Sequence, residues 1–243
     1  MAEQLSIEHI CKSFSGLQAL DDVTIKLHQG EILGLIGPNG SGKTTLINII
    51  SGLLAATSGK VKVGNVEITK LKAYEVATHR ISRTFQTIRL FRNLTVMENA
   101  EVAAVGVGIS RKNARQKAMT ALSEMKLESY ADLLAGTLPY GLERRLEIAR
   151  ALAMDPVFLL LDEPGAGLNE EECNDLLVVL DHIRKKYDLG ILIVEHDMRL
   201  IMRLCDRLHV LQSGKTIGEG TPEEIQENPA VIDAYLGESG KEN

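Results

Sequence analysis

The sequence predicts an α/β fold with a mixed, mainly parallel core sheet, an N-terminal antiparallel β region and a small helical subdomain. Two wholly apolar runs, residues 157–161 and 191–194, alternate with helical patterns at residues 142–153 and 170–186. Such runs predict strands buried on both faces, which are typical of parallel βα units. Earlier in the chain, short β-branched runs between polar turns favour strands, whereas the Ala-, Lys- and Glu-rich residues 96–126 favour helices.

Local signals place the other elements in order. Strands are predicted at residues 5–10, 23–27, 31–36, 61–63, 66–68 and 81–85. A helix runs from residue 43 to about residue 50 and ends at Ser51-Gly52, and Gly106-Val107-Gly108 divides the helical insertion. A strand pair at residues 208–212 and 215–218 precedes two short helices between residues 222 and 236.

The length and the composition favour one compact domain over residues 1–243. The 243 residues are 44% hydrophobic, which is enough for one sizeable core. Within this domain we expect a helical subdomain at about residues 87–155 and a short C-terminal helical tail at about residues 221–243.

The charge and the cysteines exclude several classes of protein. The formal charge of 27 minus 33, or −6, includes no basic block that would follow a phosphate backbone, so nucleic acid is not an expected partner. Cys11, Cys173 and Cys205 form no CxxC pair, which argues against a disulfide framework and against a zinc site. No run approaches eighteen apolar residues, and residues 1–10 do not resemble a signal peptide. We therefore expect a cytoplasmic chain.

One motif has the spacing of a phosphate-binding loop between a strand and a helix. It consists of Gly37, Pro38, Asn39, Gly40, Ser41, Gly42, Lys43 and Thr44, with Thr45 next in the helix. Its glycines let backbone N–H groups point at phosphates, and the following helix adds the positive end of its dipole. Lys43 is suited to the β- and γ-phosphates of ATP, and Thr44 to Mg²⁺. A Gly-rich turn without a ligand is the alternative, but the pattern arises by chance on the order of once in a hundred such chains.

A carboxylate pair follows the apolar run at residues 157–161. Asp162 is suited to orient the magnesium ion, and Glu163 to polarise the attacking water as a general base. Alone, such a pair is usually a solvated turn or a helix cap. Downstream of a phosphate loop it indicates a nucleotide hydrolase.

Two further polar residues follow predicted strands of the same sheet. His196 comes after the run at residues 191–194, where it could donate to the γ-phosphate, although a surface histidine is the alternative. Gln86 follows the strand at residues 81–85, and its amide could reach both the metal and the attacking water.

These segments, in this order, resemble the ATP-binding subunit of ABC transporters over essentially the whole chain. The specific marker is a signature segment, residues 138–150, just before the strand that ends at Asp162. In the family this segment usually begins LSGGQ and caps the γ-phosphate of ATP held by the opposite subunit. Here Pro139, Tyr140 and Leu142 replace the serine, the first glycine and the glutamine, while Gly141 remains.

The resemblance implies further roles, residue by residue. Phe14 is similar to the aromatic on which adenine stacks, with a core phenylalanine as the alternative. Gln86 is similar to the Q-loop glutamine and His196 to the switch histidine. Residues 165–169 resemble the D-loop, with Asn169 where aspartate is commoner.

A narrower resemblance is to one of the two ATPase subunits of branched-chain amino-acid importers. It rests on residues 83–91, the Pro139-Tyr140-Gly141 form of the signature segment, residues 195–198, and residues 228–237. It implies a second ATPase subunit, integral-membrane permeases, an indirect link to a solute-binding protein, and a place on the cytoplasmic face of the plasma membrane. Related urea or amide importers, exporters such as those that move lipopolysaccharide, soluble ABC ATPases and a regulatory nucleotide-binding protein are the alternatives.

Overall fold

The computed structural model describes residues 3–195 and 198–239. Its strands are β1 (Gln4–Phe14), β2 (Leu17–His28), β3 (Ile32–Ile36), β4 (Ser58–Val63), β5 (Val66–Glu67), β6 (Ile81–Arg83), β7 (Phe158–Asp162), β8 (Gly190–Val194), β9 (Arg207–Gln212) and β10 (Lys215–Gly220). Its helices are α1 (Lys43–Ile50), α2 (Ala73–Thr78), α3 (Val96–Gly106), α4 (Arg111–Glu124), α5 (Tyr140–Ala153), α6 (Glu170–Tyr187), α7 (Met198–Leu204), α8 (Pro222–Gln226) and α9 (Pro229–Ser239). Two short 3₁₀ turns, Glu128–Tyr130 and Ala135–Thr137, precede α5.

The strands form two sheets. An antiparallel sheet has the order β2-β1-β4-β5. The second sheet has the order β10-β9-β3-β8-β7-β6, in which every pairing is parallel except that between β9 and β10. The predicted α/β fold, with an N-terminal antiparallel region and a mixed core sheet, is confirmed.

Each central strand of the second sheet separates two hydrophobic cores. Along β7, Leu159 and Leu161 face the core shared with α3 to α7, whereas Phe158 and Leu160 face the core shared with α1 and the antiparallel sheet. Strands β3 and β8 alternate in the same way. Because side chains alternate across a strand, a strand with two apolar neighbours must be apolar throughout.

The helical insertion lies on one side of the second sheet. Helices α3, α4 and α5 pack against one another and share one continuous core with that face of the sheet. Helix α3 begins at a capping box, in which Thr95 Oγ1 accepts from the Glu98 N–H at 3.1 Å and Glu98 Oε2 accepts from the Thr95 N–H at 2.7 Å. The predicted break at Gly106-Val107-Gly108 coincides with the end of α3.

Several local details differ from the sequence prediction, and β1 and β2 are longer than the strands predicted at residues 5–10 and 23–27. Helix α2 was not predicted, because its six residues are too few to show a helical period. Strand β6 ends at Arg83 instead of residue 85 because side chains of α5 bind the next peptide groups. The Phe85 N–H donates to Glu147 Oε1 at 3.2 Å, and the Phe85 carbonyl accepts from Arg144 at 2.9 Å.

Candidate functional site

The phosphate-loop motif lies between β3 and α1, as the sequence predicts. Strand β3 is buried along its whole length, and residues 37–42 connect it to α1. No side chain caps the start of α1, so its first N–H groups face the loop. This is the arrangement in which a helix N-terminus binds an anion.

Two glycines of the loop are required by its geometry. Gly37 has φ 145°, and a Cβ added there would lie 2.0 Å from the Leu211 carbonyl oxygen. Gly42 has φ 109°, and its added Cβ would lie 2.7 Å from Leu20 Cδ2. Both positions combine a left-handed backbone with a close neighbour, so no other residue fits without a shift of the main chain.

Lys43 lies across the loop. Its side chain is buried, and Nζ donates to the carbonyls of Gly37 at 2.6 Å and Pro38 at 2.9 Å. The ammonium group therefore sits at the concave side of the loop, where it adds a fixed positive charge to the dipole of α1.

A cavity of about 470 Å³ joins the loop to two of the predicted catalytic residues. Its lining consists of Ala19, Asn39, Gly40, Ser41, Gly42, Lys43, Thr44, Thr45, Gln86 and Glu163. Gln86 Nε2 donates to Glu163 Oε2 at 2.7 Å. Residues far apart in sequence thus meet beside the loop at residues 37–44.

Asp162 is the last residue of β7 and is almost fully buried. Its Oδ2 accepts from Arg83 at 2.9 Å, and the same guanidinium donates to Asn48 Oδ1 at 2.6 Å and to Ser51 Oγ at 2.9 Å. Burial lowers the pKa of Arg83, and its bonds to Asp162 oppose that shift. Arg83 therefore ties the carboxylate to α1; the sequence interpretation assigned it no role.

The oxygen donors present fit a magnesium ion bound with a nucleotide. The Thr44 hydroxyl, the Asp162 carboxylate and the Gln86 amide are hard ligands, and Mg²⁺ commonly takes one or two protein groups plus phosphate oxygens and water. Within residues 3–195 and 198–239 there is no cluster of three or more His, Cys, Asp or Glu side chains that could hold a metal by itself. A phosphate-dependent magnesium site does not need such a cluster.

Glu163 has an unusual backbone conformation. Its φ is 50°, its N–H donates to the Val194 carbonyl at 2.8 Å, and its carbonyl accepts from the Ala166 N–H at 3.1 Å. A left-handed backbone at a residue other than glycine is uncommon and persists where neighbours hold it. A turn held by these two hydrogen bonds thus sets the direction of the Glu163 carboxylate.

The other predicted residues lie apart from this cavity or beyond the described chain. Phe14, at the end of β1, is 43% exposed, has Lys12 Nζ 4.8 Å from its ring centroid and is not part of the lining. Gly141 lies in the first turn of α5, facing Glu172 in a separate cavity of about 260 Å³. His196 lies outside the described residues. Gly37, Pro38 and Asp162 are also absent from the lining. The roles of all the predicted site residues stay predictions.

Two buried charges that the sequence interpretation passed over support the site. Glu195 Oε1 accepts from the Gly165 N–H at 2.6 Å, which ties the end of β8 to the D-loop. Arg144 has no exposed side-chain surface and donates to the carbonyls of Phe85 and Gln86, both at 2.9 Å. For Arg144, the signal in the sequence was a charged residue in the middle of a helical pattern. Its carbonyl partners, Phe85 and Gln86, lie 59 and 58 positions earlier in the chain.

In the described chain, none of the helices is both long and apolar enough to span a bilayer.

Comparisons with known proteins agree with this geometry. The family profile described as ABC transporter matches residues 20–166, and one described as branched-chain amino acid ATP-binding cassette transporter matches residues 215–241. The chain is 38% identical to the high-affinity branched-chain amino acid transport ATP-binding protein BraF of Pseudomonas aeruginosa, over 97% of this chain and 98% of that protein. It is 39% identical to LivG of Escherichia coli, which carries the same description, with the same coverage.

More distant relatives and solved structures widen the comparison. The lipopolysaccharide export system ATP-binding protein LptB of Escherichia coli is 34% identical over 96% of this chain and 97% of its own length. The crystal structure of an ATP-binding cassette of an ABC transporter in its ADP conformation superposes with a TM-score of 0.88 and 34% identity, covering 97% of this chain and 99% of that chain. A dimeric bacterial ABC transporter cassette superposes with a TM-score of 0.80 and 27% identity, covering 90% and 98%. The chain therefore belongs to the ABC transporter family and is one of its ATP-hydrolysing cassettes.

Proposed function

We propose that this chain is the ATP-binding and ATP-hydrolysing subunit of a membrane importer for branched-chain or related hydrophobic amino acids. The observation that carries the proposal is the cavity in which Gln86 and Glu163 meet the phosphate loop. Relatives whose names specify branched-chain amino acid transport support the choice of substrate class.

In this function, the phosphate loop binds the nucleotide mainly through its backbone. The N–H groups of the loop and of the first turn of α1 donate to phosphate oxygens, and Lys43 contributes its charge to the β- and γ-phosphates. To do so, the Lys43 ammonium exchanges one of its present carbonyl partners for a phosphate oxygen. Phe14 stacks on the adenine.

Thr44, Asp162 and Gln86 would hold the magnesium ion. When bound, the ion neutralises charge that develops on the phosphate oxygens. Arg83 keeps Asp162 oriented along β7, because its guanidinium is anchored to Asn48 and Ser51 of the adjacent helix region.

Glu163 would accept a proton from the attacking water. Gln86 orients that water together with the carboxylate it already contacts, and His196 donates to the γ-phosphate. Glu163 is well placed for this task, since the turn from Glu163 to Ala166 leaves its carboxylate facing the phosphate loop.

A second ATPase subunit would complete the site. Gly141 and the start of α5 lie away from the phosphate loop of their own chain, so they are available to the γ-phosphate bound by a partner. The similar dimeric cassette supports this arrangement, for which the partner is either a second copy or an unlike ATPase.

Residues 87–155 would form the helical subdomain that receives a permease. Residues 221–243, of which 240–243 lie outside the described residues, would form a helical tail. Exposed apolar side chains lie on two segments of this subdomain that are bonded to each other. Phe91 and Leu134 are 50% and 48% exposed, and the Ala135 N–H donates to the Leu94 carbonyl at 2.9 Å. An exposed apolar surface of this kind is typical of a docking site. The chain would then work at the cytoplasmic face of the plasma membrane, linked through the permease to a solute-binding protein.

The test is to tag the full chain in its native cell, solubilise membranes in mild detergent and identify what co-purifies by mass spectrometry. We expect two hydrophobic permeases and a second ATPase, and loss of leucine uptake when the gene is deleted. Phe91→Asp should abolish the recovery of permeases. Val178→Asp, at an exposed apolar residue of α6, is the matched control and should not change it.

The alternatives give different results in the same experiment. Recovery of permeases with normal leucine uptake after deletion would point to a urea or amide importer or to an exporter. Recovery of soluble proteins or ribosomes alone would refute the transport function and leave the ATPase assignment intact.

A further inference from the structure

Tyr140 occupies the signature position at which the family usually has glycine, and it contacts the D-loop of its own chain. Its hydroxyl donates to the Ala166 carbonyl at 3.1 Å. Its ring lies against Gly167, where an added Cβ would be 2.7 Å from Tyr140 Cε1. Gly167 also has φ 78°, so the D-loop is shaped to accept the ring.

On its other side, Tyr140 is bonded to a buried arginine. Arg144 donates to the Tyr140 hydroxyl oxygen at 3.1 Å and to the carbonyls of Phe85 and Gln86 at 2.9 Å. Its guanidinium also bonds Glu147 at 3.1 Å, which balances its charge. One fully buried side chain thus holds the Gln86 backbone and the tyrosine together.

Hydrogen bonds lead from Arg144 through the Tyr140 hydroxyl to Ala166, and their donor and acceptor directions are consistent. The guanidinium donates to the hydroxyl oxygen, and the hydroxyl donates onward to Ala166. A hydroxyl that accepts from a cation becomes a stronger donor, so the two bonds reinforce each other.

The path ends at the general base. The Ala166 N–H donates to the Glu163 carbonyl, so Ala166 is bonded to the turn of Glu163 through one backbone group and to Tyr140 through the other. The positive φ of Glu163 requires that this turn be held from outside. We propose that Tyr140 is a positioning residue, which fixes the D-loop turn that aims Glu163 and couples it through Arg144 to the Q-loop.

This inference rests on the proposed function, since it assigns Tyr140 a part in ATP hydrolysis. The test is Tyr140→Phe in the purified full chain, which removes the hydroxyl and keeps the ring on Gly167. Tyr187→Phe is the matched control. The Tyr187 hydroxyl, on α6, also makes a hydrogen bond, to Glu124 Oε1 at 2.6 Å, but it contacts neither Arg144 nor the D-loop. Two measurements are made on both variants: hydrogen exchange of the peptide covering residues 163–169, and steady-state ATPase kinetics.

We expect Tyr140→Phe to speed exchange in residues 163–169 by roughly three- to tenfold and to lower kcat by a similar factor, the loss typical of one hydrogen bond. The KM for MgATP should stay within about twofold, because the phosphate loop is unchanged. Tyr187→Phe should change neither quantity. Unchanged exchange in residues 163–169, or a higher KM with an unchanged kcat, would overturn the proposal. If the purified chain alone does not hydrolyse ATP, the kinetics are measured on the detergent-solubilised complex that holds its partner. Lack of ATPase activity in that complex would refute the proposed function, and hydrogen exchange on the full chain still decides whether Tyr140 holds the turn.

Discussion

The phosphate loop and the signature segment both lie at the start of a helix, yet different parts of the chain hold them in place. In the phosphate loop, backbone geometry is decisive: Gly37 and Gly42 have left-handed backbones against close neighbours. At the start of α5, side chains are decisive: Tyr140 and Arg144 bond the helix to the D-loop and the Q-loop. The phosphate loop therefore depends on glycine at two positions, whereas the start of α5 depends on the particular side chains that stand there.

The largest expected effect on the catalytic rate is at Glu163, which lines the phosphate-loop cavity and belongs to the turn that Tyr140 contacts. Glu163→Gln should lower kcat by about 10²- to 10⁴-fold, because the amide cannot accept the proton of the attacking water. Binding of ATP should persist, since the phosphate loop is untouched, and ATP should trap a dimer. Single-turnover hydrolysis and size-exclusion chromatography with ATP measure both effects. Turnover equal to that of the wild type would remove Glu163 from the role of base.

A second large effect is expected on the phosphate-loop side. Arg83→Met leaves the Asp162 carboxylate buried without its cation, a change that typically costs about 3–5 kcal/mol. Urea unfolding should show the loss, and the Mg²⁺ dependence of fluorescent-ATP binding should weaken. Ser51→Ala removes only one partner of the guanidinium and serves as the control, with a loss of about 1 kcal/mol. Equal stability of Arg83→Met and wild type would show that the ion pair does not hold Asp162.

Gly37→Ala tests whether backbone geometry governs the loop. The added Cβ meets a main-chain carbonyl, and alanine disfavours the left-handed conformation, so we expect a loss of about 2–4 kcal/mol or displacement of the loop. Isothermal titration with ATP should show strongly weakened binding. Binding at wild-type affinity would mean that the loop adapts as easily as the signature segment.

A smaller effect on stability is expected at Asn169, in the D-loop that Tyr140 of the signature segment contacts. Its Oδ1 accepts from the Glu172 N–H at 2.9 Å and caps α6, a role that aspartate fills equally well. Asn169→Ala should cost about 1 kcal/mol, whereas Asn169→Asp, the residue commoner in the family, should be neutral or slightly stabilising. Thermal unfolding of the three proteins provides the measurement. If Asn169→Asp lowered the stability, the fold would require an uncharged residue at position 169.

The smallest effect is expected at the glycine that the signature segment retains. Gly141 has a helical backbone, and an added Cβ would meet the carboxylate end of Glu172, a flexible side chain, at 2.5 Å. Gly141→Ala should therefore fold with stability within about 1 kcal/mol of wild type, in contrast to Gly37→Ala. Comparison of the two unfolding midpoints tests the contrast directly. An equally large loss at both glycines would break the distinction between the two regions.

The sequence predicted most of the fold because its signals are local. The apolar strands, the glycines of the loop and the carboxylates that follow β7 are all visible in short windows. Residues of the loop, Gln86 and Glu163 line one cavity, while their roles stay predictions.

The missing parts are interactions between distant positions. The pairing of Arg83 with Asp162 spans 79 positions, and that of Glu195 with Gly165 spans 30. No periodicity or motif indicates such pairs, since they depend on strand order in the folded sheet. Tyr140 was recognised as a departure from the family, but its partners on the D-loop and at Arg144 became visible only in three dimensions.

The division of the central strands between two cores has a consequence for how mutations are felt. Strands β7 and β8 deliver Asp162 and Glu195 to the site, and each strand is wedged between two sets of packed side chains. A methyl group removed on either face, far from any ligand, shifts the strand along or across the sheet by the distance its neighbours relax. The packing on both faces of the sheet thus sets the positions of the reacting groups. Conservative changes at Leu159 or Ile193 would be detected first as altered catalytic rates, before the folded state is measurably lost.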